Sequence, residues 1–201
     1  RYQEAAEGLI KVMTIATEHD DNFEVTQYAS QNGVLVSQGH TGANYEEAVM
    51  GIANGANSFT HACNGMSGLH HRDPNTLGTL MRSNTFAEII ADTHHVHPAV
   101  VNVLFKAKPD SMMLITDSLT LKGMPEGDYE LGGNKIEMDE NGTAYLKGTN
   151  TISGSTLKVN EGLQRLVEVV LVPFDIALDS ATINPARALK VDDRKGKIQM
   201  G

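Results

Sequence analysis

A single cysteine, Cys63, stands in a chain of 201 residues. No internal disulfide can form, which fits a reducing compartment and sets the expectation of a cytoplasmic protein. Long apolar runs are missing as well. Nothing approaches the ~18 residues that span a bilayer, and no secretory leader pattern is visible. Basic clusters are absent from a sequence of net charge −9, so nucleic acid and membrane surfaces are poor partners. Phosphorylated small molecules stay open, because a local anion site needs only a few donors. Proline-rich linkers and low-complexity tracts are absent too. What is left is 40% hydrophobic and 20% charged, the balance of one globular domain or of part of a larger one. The chain opens on Arg1 and stops in the strand-like phrase "KGKIQMG", the pattern expected of an internal piece of a longer protein.

Short apolar strands alternate with amphipathic helices along most of the chain. The opening segment from Tyr2 to Lys11 reads as helical, followed by a strand "VMTIATE" (12–18), a helix over 25–33 and a strand "VLVSQGH" (34–40). Asn44 with Glu47 three residues on forms a capping box for the next helix, which Gly55 ends. "NSFTH" (57–61) and "FAEIIAD" (86–92) are further strands, separated by a helical turn near 75–82. Pro98 suits the first turn of a helix carrying Val100, Val101, Leu104 and Phe105. "SMMLITD" (111–117) is the last strand of the series, and a long helix is expected over 156–170. Such alternation implies an α/β fold with a parallel sheet and right-handed crossovers. Residues 119–151 break the rhythm; the pairs Gly132-Gly133 and Asn141-Gly142 mark a β-hairpin excursion.

Each strand's C-terminal end carries a group able to do chemistry: Glu18, His40, His61, His94 or His95, and Asp117. In a parallel barrel these ends converge on one face, where catalytic groups sit. A lone histidine at a strand end is commonly a hydrogen-bonded packing residue. Two at matching positions with a carboxylate nearby suit a divalent cation such as zinc or iron. Asp117 would then serve as general base and afterwards as acid for the leaving group. The remaining histidines of "LHHRDPN" and "DTHHVHP" lie in loops where solvation alone explains them, and Cys63 reads as a buried structural thiol. "TISGS" (151–155) precedes a helix, so its N–H groups could meet an anion or a sugar hydroxyl.

The motifs "GHTGANYEEA", "THACNGM", "HRDPN", "DTHHVHP", "LITDS", "TISGSTL" and "NPARAL", in this order, resemble the N-acetylglucosamine-6-phosphate deacetylases of the amidohydrolase superfamily. The resemblance runs from "VMTIATE" to "RKGKIQMG". It implies a metal-dependent (β/α)8 hydrolase barrel, here its strands 4 to 8 with a β-hairpin insertion, and a small β-sandwich to which residues 190–201 begin to return. The first three strands and the rest of the sandwich have no counterpart in the chain. The implied activity is removal of acetate from N-acetylglucosamine 6-phosphate in amino-sugar catabolism. The implied metal ligands are His40 and His61, with zinc or iron as the cation, and Asp117 is the implied acid/base. Asn64, Gly65, His95, Ile152, Ser153 and Gly154 are implied substrate contacts, with His94 the alternative to His95. Arg72 is the implied phosphate-binding arginine, in the family often across a homodimer interface, and its fork of donors suits that anion. The family's glutamate metal ligand sits in a His-Leu-Glu-Gly phrase that this chain lacks, and a glycine usually stands where this chain has Thr93. The chain on its own is therefore expected to be inactive. An amidohydrolase acting on a cyclic amide or another acetamido sugar is the competing reading; the motif order and Arg72 favour the phosphorylated sugar.

Overall fold

In the computed structural model, which describes residues 1–200, the apolar runs form five short parallel strands. They are β1 (Val12–Ile15), β2 (Leu35–Gln38), β3 (Ala56–Phe59), β4 (Ala87–Ile90) and β5 (Met112–Ile115). β1, β2 and β3 pair in parallel, as do β4 and β5. The two sets are joined by backbone bonds: Phe86 N–H donates to Asn57 O at 3.0 Å, Phe59 N–H to Phe86 O at 3.1 Å, and Ala62 N–H to Glu88 O at 2.8 Å. The strands thus form one layer in chain order, as helical crossovers require.

The connecting helices start where their sequences say they should. In α3 (Tyr45–Ala53) Asn44 Oδ1 accepts the Glu47 N–H, and the Glu47 carboxylate accepts the Asn44 N–H, each at 2.9 Å. Pro98 opens α5 (Pro98–Ala107), where a missing N–H is harmless. α2 (Glu24–Gln31) and α4 (Asn75–Arg82) complete the crossovers, and a short α1 (Tyr2–Ala5) precedes β1. Alternate residues of each strand face these helices. Phe59, Ile89, Met112 and Leu114 pack with Leu80, Val101, Leu104 and Phe105 as the main core. Beyond the sheet, α6 (Val159–Glu168), α7 (Phe174–Ala181) and α8 (Ile183–Ala188) cover β5. Asn184, fully buried on α8, ties that cover to the strand by donating its amide to Met112 O at 2.9 Å.

On the other face, hydroxyls cluster near the C-terminal ends of the first three strands. Thr60 donates its hydroxyl to Ser37 Oγ at 2.7 Å, and the Thr14 hydroxyl lies 2.9 Å from that of Thr60. Glu88 on β4 shares this side by strand alternation.

Several spans differ from the sequence expectation. The opening helix ends at Ala5, because Glu7 and Gly8 enter the left-handed region (φ 51 and 76). The expected strands end two or three residues early, and the long helix covers Val159–Glu168 rather than 156–170. The expected hairpin is a three-stranded antiparallel meander: β6 (Gly127–Leu131), β7 (Asn134–Met138) and β8 (Ala144–Leu146). Its turns fall at Gly132-Gly133 and around Asn141-Gly142, and Leu121, Ile136, Met138 and Ala144 give it a small core of its own. "KGKIQMG" forms no strand among the described residues, and its Gly201 lies outside them. None of the described helices is long and apolar enough to cross a membrane.

Candidate functional site

Four strands of the layer hand over to their loops through a non-glycine residue in the left-handed region. These are His40 (φ 50) after β2, His61 (φ 31) after β3, Thr93 (φ 71) after β4 and Asp117 (φ 50) after β5. A backbone held there costs about 1–3 kcal/mol for a side-chain-bearing residue, less for His, Asn and Asp than for β-branched residues. The repeated device turns each chain sharply at the strand's C-terminal end. Three of the four residues were expected from sequence to do chemistry; Thr93 was not.

His40 and His61 meet directly. Their Nε2 atoms lie 2.9 Å apart, with the rings edge to face at 4.7 Å between centroids. His61 Nδ1 lies 3.1 Å from the Asn64 carbonyl oxygen, so Nδ1 carries the proton and the Nε2 lone pair faces His40 Nε2. A ring anchored at one nitrogen with the other turned toward a second imidazole is the donor set of a divalent cation site. The pair fits a metal by that chemistry, although no third His, Cys, Asp or Glu completes a ligand cluster among the described residues.

The two loops behind the histidines are laced together. Thr41 N–H donates to Gly65 O at 2.9 Å and Ser67 N–H to Thr41 O at 3.2 Å. Glu18, which the sequence placed at the end of β1, clamps this loop: it accepts the Thr41 hydroxyl at 2.7 Å and the Gly42 N–H at 2.8 Å. Gly65 is left-handed (φ 51), and a Cβ there would stand 3.3 Å from His40 Nδ1. The Asn64 amide is turned inward, donating to His61 O and Ala62 O at 3.2 Å each, so Asn64 braces the turn that carries the histidine.

Glu88 was not singled out in the sequence, yet it braces the turn that carries His61 and feels the charge of Asp117. Its carboxylate accepts the His61 N–H at 3.4 Å. Burial pushes its carboxyl above the ordinary value; the His61 N–H works against that, and the Asp117 charge adds to the rise. Asp117 is exposed, and its carbonyl oxygen accepts the Ser155 N–H at 2.8 Å. This bond draws "TISGS" against the end of β5. A Cβ on Gly154 (φ 61) would stand 2.6 Å from Leu119 and 3.2 Å from Asp117 O. Ser153 N–H donates to Ala144 O, and Ile152 bridges to Tyr145. The N–H groups of Ser153 and Ser155 are thus spent on the fold, and the helix starts only at Val159, so fewer N–H groups of this turn are left for an anion or a sugar hydroxyl than the sequence suggested.

His95 lies with Gly154 in a small cavity of about 60 Å³ also lined by Asp92 and His94. Its Nδ1 is 2.5 Å from Asp92 Oδ2. Burial works to raise the Asp92 carboxyl, but the bonds from His95 and His94 outweigh it and hold it below its ordinary value. His94 is exposed. Arg72 stands on an exposed loop, with Nη1 2.6 Å from His71 Nε2, and makes no hydrogen bond to the histidine pair. Burial pushes the half-buried Cys63 thiol up to about 11, so it stays protonated at neutral pH and is a poor ligand.

Thr93 is the costly member of the left-handed set, being β-branched. Thr93→Gly is expected to stabilise the fold by about 1 kcal/mol, since relieved strain outweighs the added entropy of an unfolded glycine. That corresponds to a Tm rise of roughly 2–4 °C at this chain length. A thermal melt in which the variant unfolds at or below the wild-type temperature would show that Thr93 carries no strain.

The profile of the amidohydrolase family matches residues 23–201. N-acetylglucosamine-6-phosphate deacetylase of Bacillus subtilis (strain 168) is 36% identical over 203 residues, which cover 100% of this chain and 51% of that protein. N-acetylgalactosamine-6-phosphate deacetylase of Escherichia coli O157:H7 is 33% identical, with 96% and 51% covered. The crystal structure of N-acetylglucosamine-6-phosphate deacetylase from Pasteurella multocida matches with a TM-score of 0.90 at 27% identity, over 100% of this chain and 52% of that one. The chain spans about half the length of the curated relatives it matches.

Proposed function

The chain belongs to the amidohydrolase family, and from that premise we propose that it carries the histidine pair and the acid/base of a metal-dependent deacetylase acting on N-acetylglucosamine 6-phosphate. The observation that carries this reading is the convergence of the His40 and His61 Nε2 atoms, 2.9 Å apart, at strand ends shared with Asp117. The names of the relatives support the substrate class. In this reading β1 to β5 are strands four to eight of a (β/α)8 barrel, and residues 190–201 lead back toward a small β-sandwich.

His40 and His61 would hold the cation, zinc or iron. When bound, it supplies a Lewis acid for the amide carbonyl and lowers the pKa of water toward ~7. Asp117 takes a proton from the attacking water as the new C–O bond forms at the acetyl carbon. It then returns that proton to the amide nitrogen as the C–N bond breaks, leaving acetate and the free amino sugar. Asn64 holds the His61 ring and Glu88 its backbone N–H. Gly65, Ile152, Ser153, Gly154 and His95 border the space left for the sugar. Arg72 receives the phosphate, reaching from one subunit of a homodimer to its partner.

The whole protein, loaded with zinc or iron, should release acetate from N-acetylglucosamine 6-phosphate with a lower KM than from N-acetylglucosamine. Faster turnover of N-acetylgalactosamine 6-phosphate would shift the substrate to that epimer. Acetate release from none of the three would sink the reading. Arg72→Ala should raise KM for the 6-phosphate sugar by about 10-fold or more, the scale of a lost charge-assisted bond. The unphosphorylated sugar should respond much less. Equal losses on both would make Arg72 structural.

A further inference from the structure

The turn after β4 is built around one carboxylate. Asp92 Oδ1 accepts the backbone N–H groups of His94 and His95, each at 2.9 Å, while Oδ2 takes His95 Nδ1 at 2.5 Å. Three donors thus converge on two oxygens whose side chain is only 9% exposed, against 5% for His95. The left-handed Thr93 makes this reversal possible by folding residues 94 and 95 back over Asp92. A carboxylate that accepts at Nδ1 fixes the ring in one tautomer and one plane. It leaves Nε2 as the ring's free hydrogen-bonding atom, and that atom makes no hydrogen bond within the described residues.

We infer that Asp92 is a positioning residue: it holds His95 as the Nδ1–H tautomer, so that Nε2 presents a bare lone pair to a substrate hydroxyl. The word substrate rests on the deacetylase reading above; the tautomer does not. The cavity that the ring shares with Gly154 and Ser155 is also lined by Asn141, Glu161 and Arg165, polar surroundings in which a hydroxyl-bearing ligand finds partners besides the ring. A polyhydroxyl ligand supplies the O–H donors that an Nδ1–H imidazole accepts at Nε2.

The substitution Asp92→Asn separates tautomer from turn. Asparagine keeps an oxygen for the two backbone N–H groups, but its amide nitrogen can meet His95 only as a donor, which favours the opposite tautomer. Long-range ¹H–¹⁵N correlation spectra of ¹⁵N-histidine protein at pH 8 should show His95 protonated at Nδ1 in the wild type. In Asp92→Asn the ring should move to Nε2–H, with KM for N-acetylglucosamine 6-phosphate rising about 10-fold or more and kcat changing less. Asp92→Ser, which caps the turn without reaching the ring, serves if the asparagine variant does not fold and should give a mixture of tautomers with the same KM effect. A wild-type ring protonated at Nε2, or one whose tautomer ignores both substitutions, overturns the inference. A switched tautomer with unchanged KM overturns the delivery of His95 to substrate. Loss of the deacetylase reading alone would leave the wild-type tautomer as stated, which keeps the two failures distinguishable.

Discussion

Asp117→Asn is expected to lower kcat by about 10²–10⁴-fold, the usual contribution of a positioned acid/base, while leaving metal content unchanged. The substitution suits the position for a backbone reason. Asp117 sits in the left-handed region at φ 50, where asparagine is tolerated as well as aspartate. Its structural bond runs through the main chain, from Ser155 N–H to Asp117 O at 2.8 Å, and survives the change. What is lost is the ability to take a proton and give it back. Glu88 does not replace it, since that carboxylate is engaged with the His61 N–H and half-buried. Steady-state kinetics with parallel metal quantification reads the outcome. A near-wild-type kcat would remove Asp117 from the chemistry.

His61→Gln is expected to abolish stoichiometric metal binding, with affinity falling by more than the 10- to 100-fold that a supporting outer partner contributes. Glutamine approximates the size of the ring and can still donate toward the Asn64 carbonyl, which His61 Nδ1 meets at 3.1 Å. It offers no imidazole lone pair to pair with His40 Nε2. Zinc should raise the Tm of the wild type, because a ligand that binds only the folded state stabilises it by mass action. It should leave the variant's Tm unmoved. A variant that melts like the metal-free wild type yet retains one metal per chain through dialysis would show that the cation is held elsewhere.

Much of this arrangement was legible in local chemistry. The Asn44–Glu47 capping box and Pro98 at the start of α5 are decided within four residues, and both stand where the sequence put them. The strand-end positions of His40, His61 and Asp117 were legible because strand ends recur with a polar residue after an apolar run. Strand length was not legible. "VMTIATE" reads as one extended run, but its strand stops at Ile15, and Thr17 turns its hydroxyl to Gln38 Oε1 at 3.0 Å. That partner lies on another strand, and no periodicity within residues 12–18 announces it. Glu18, Glu88 and Asp92 were hidden or underread for the same reason. Each gains its role by accepting donors from a neighbouring loop or from its own turn, and an isolated acidic residue in sequence looks alike whether it faces solvent or a backbone N–H. The helices α7 and α8 were also missed as elements, being short and recognisable mainly by how they cover β5.

The left-handed strand ends restrict how this site can change over generations. At positions 40, 61 and 117 the torsion angle itself favours a short alphabet of Asn, Asp, His and Gly. Two of those four are also the residues that bind cations or carry protons. Replacements that keep the charge but lengthen the side chain, such as glutamate for Asp117, meet a backbone filter before any chemical one. Neutral drift at these sites therefore runs toward asparagine and glycine, which preserve the fold and would end the proposed chemistry. A gene duplicate released from selection on catalysis can lose its chemistry by single steps while keeping its architecture intact.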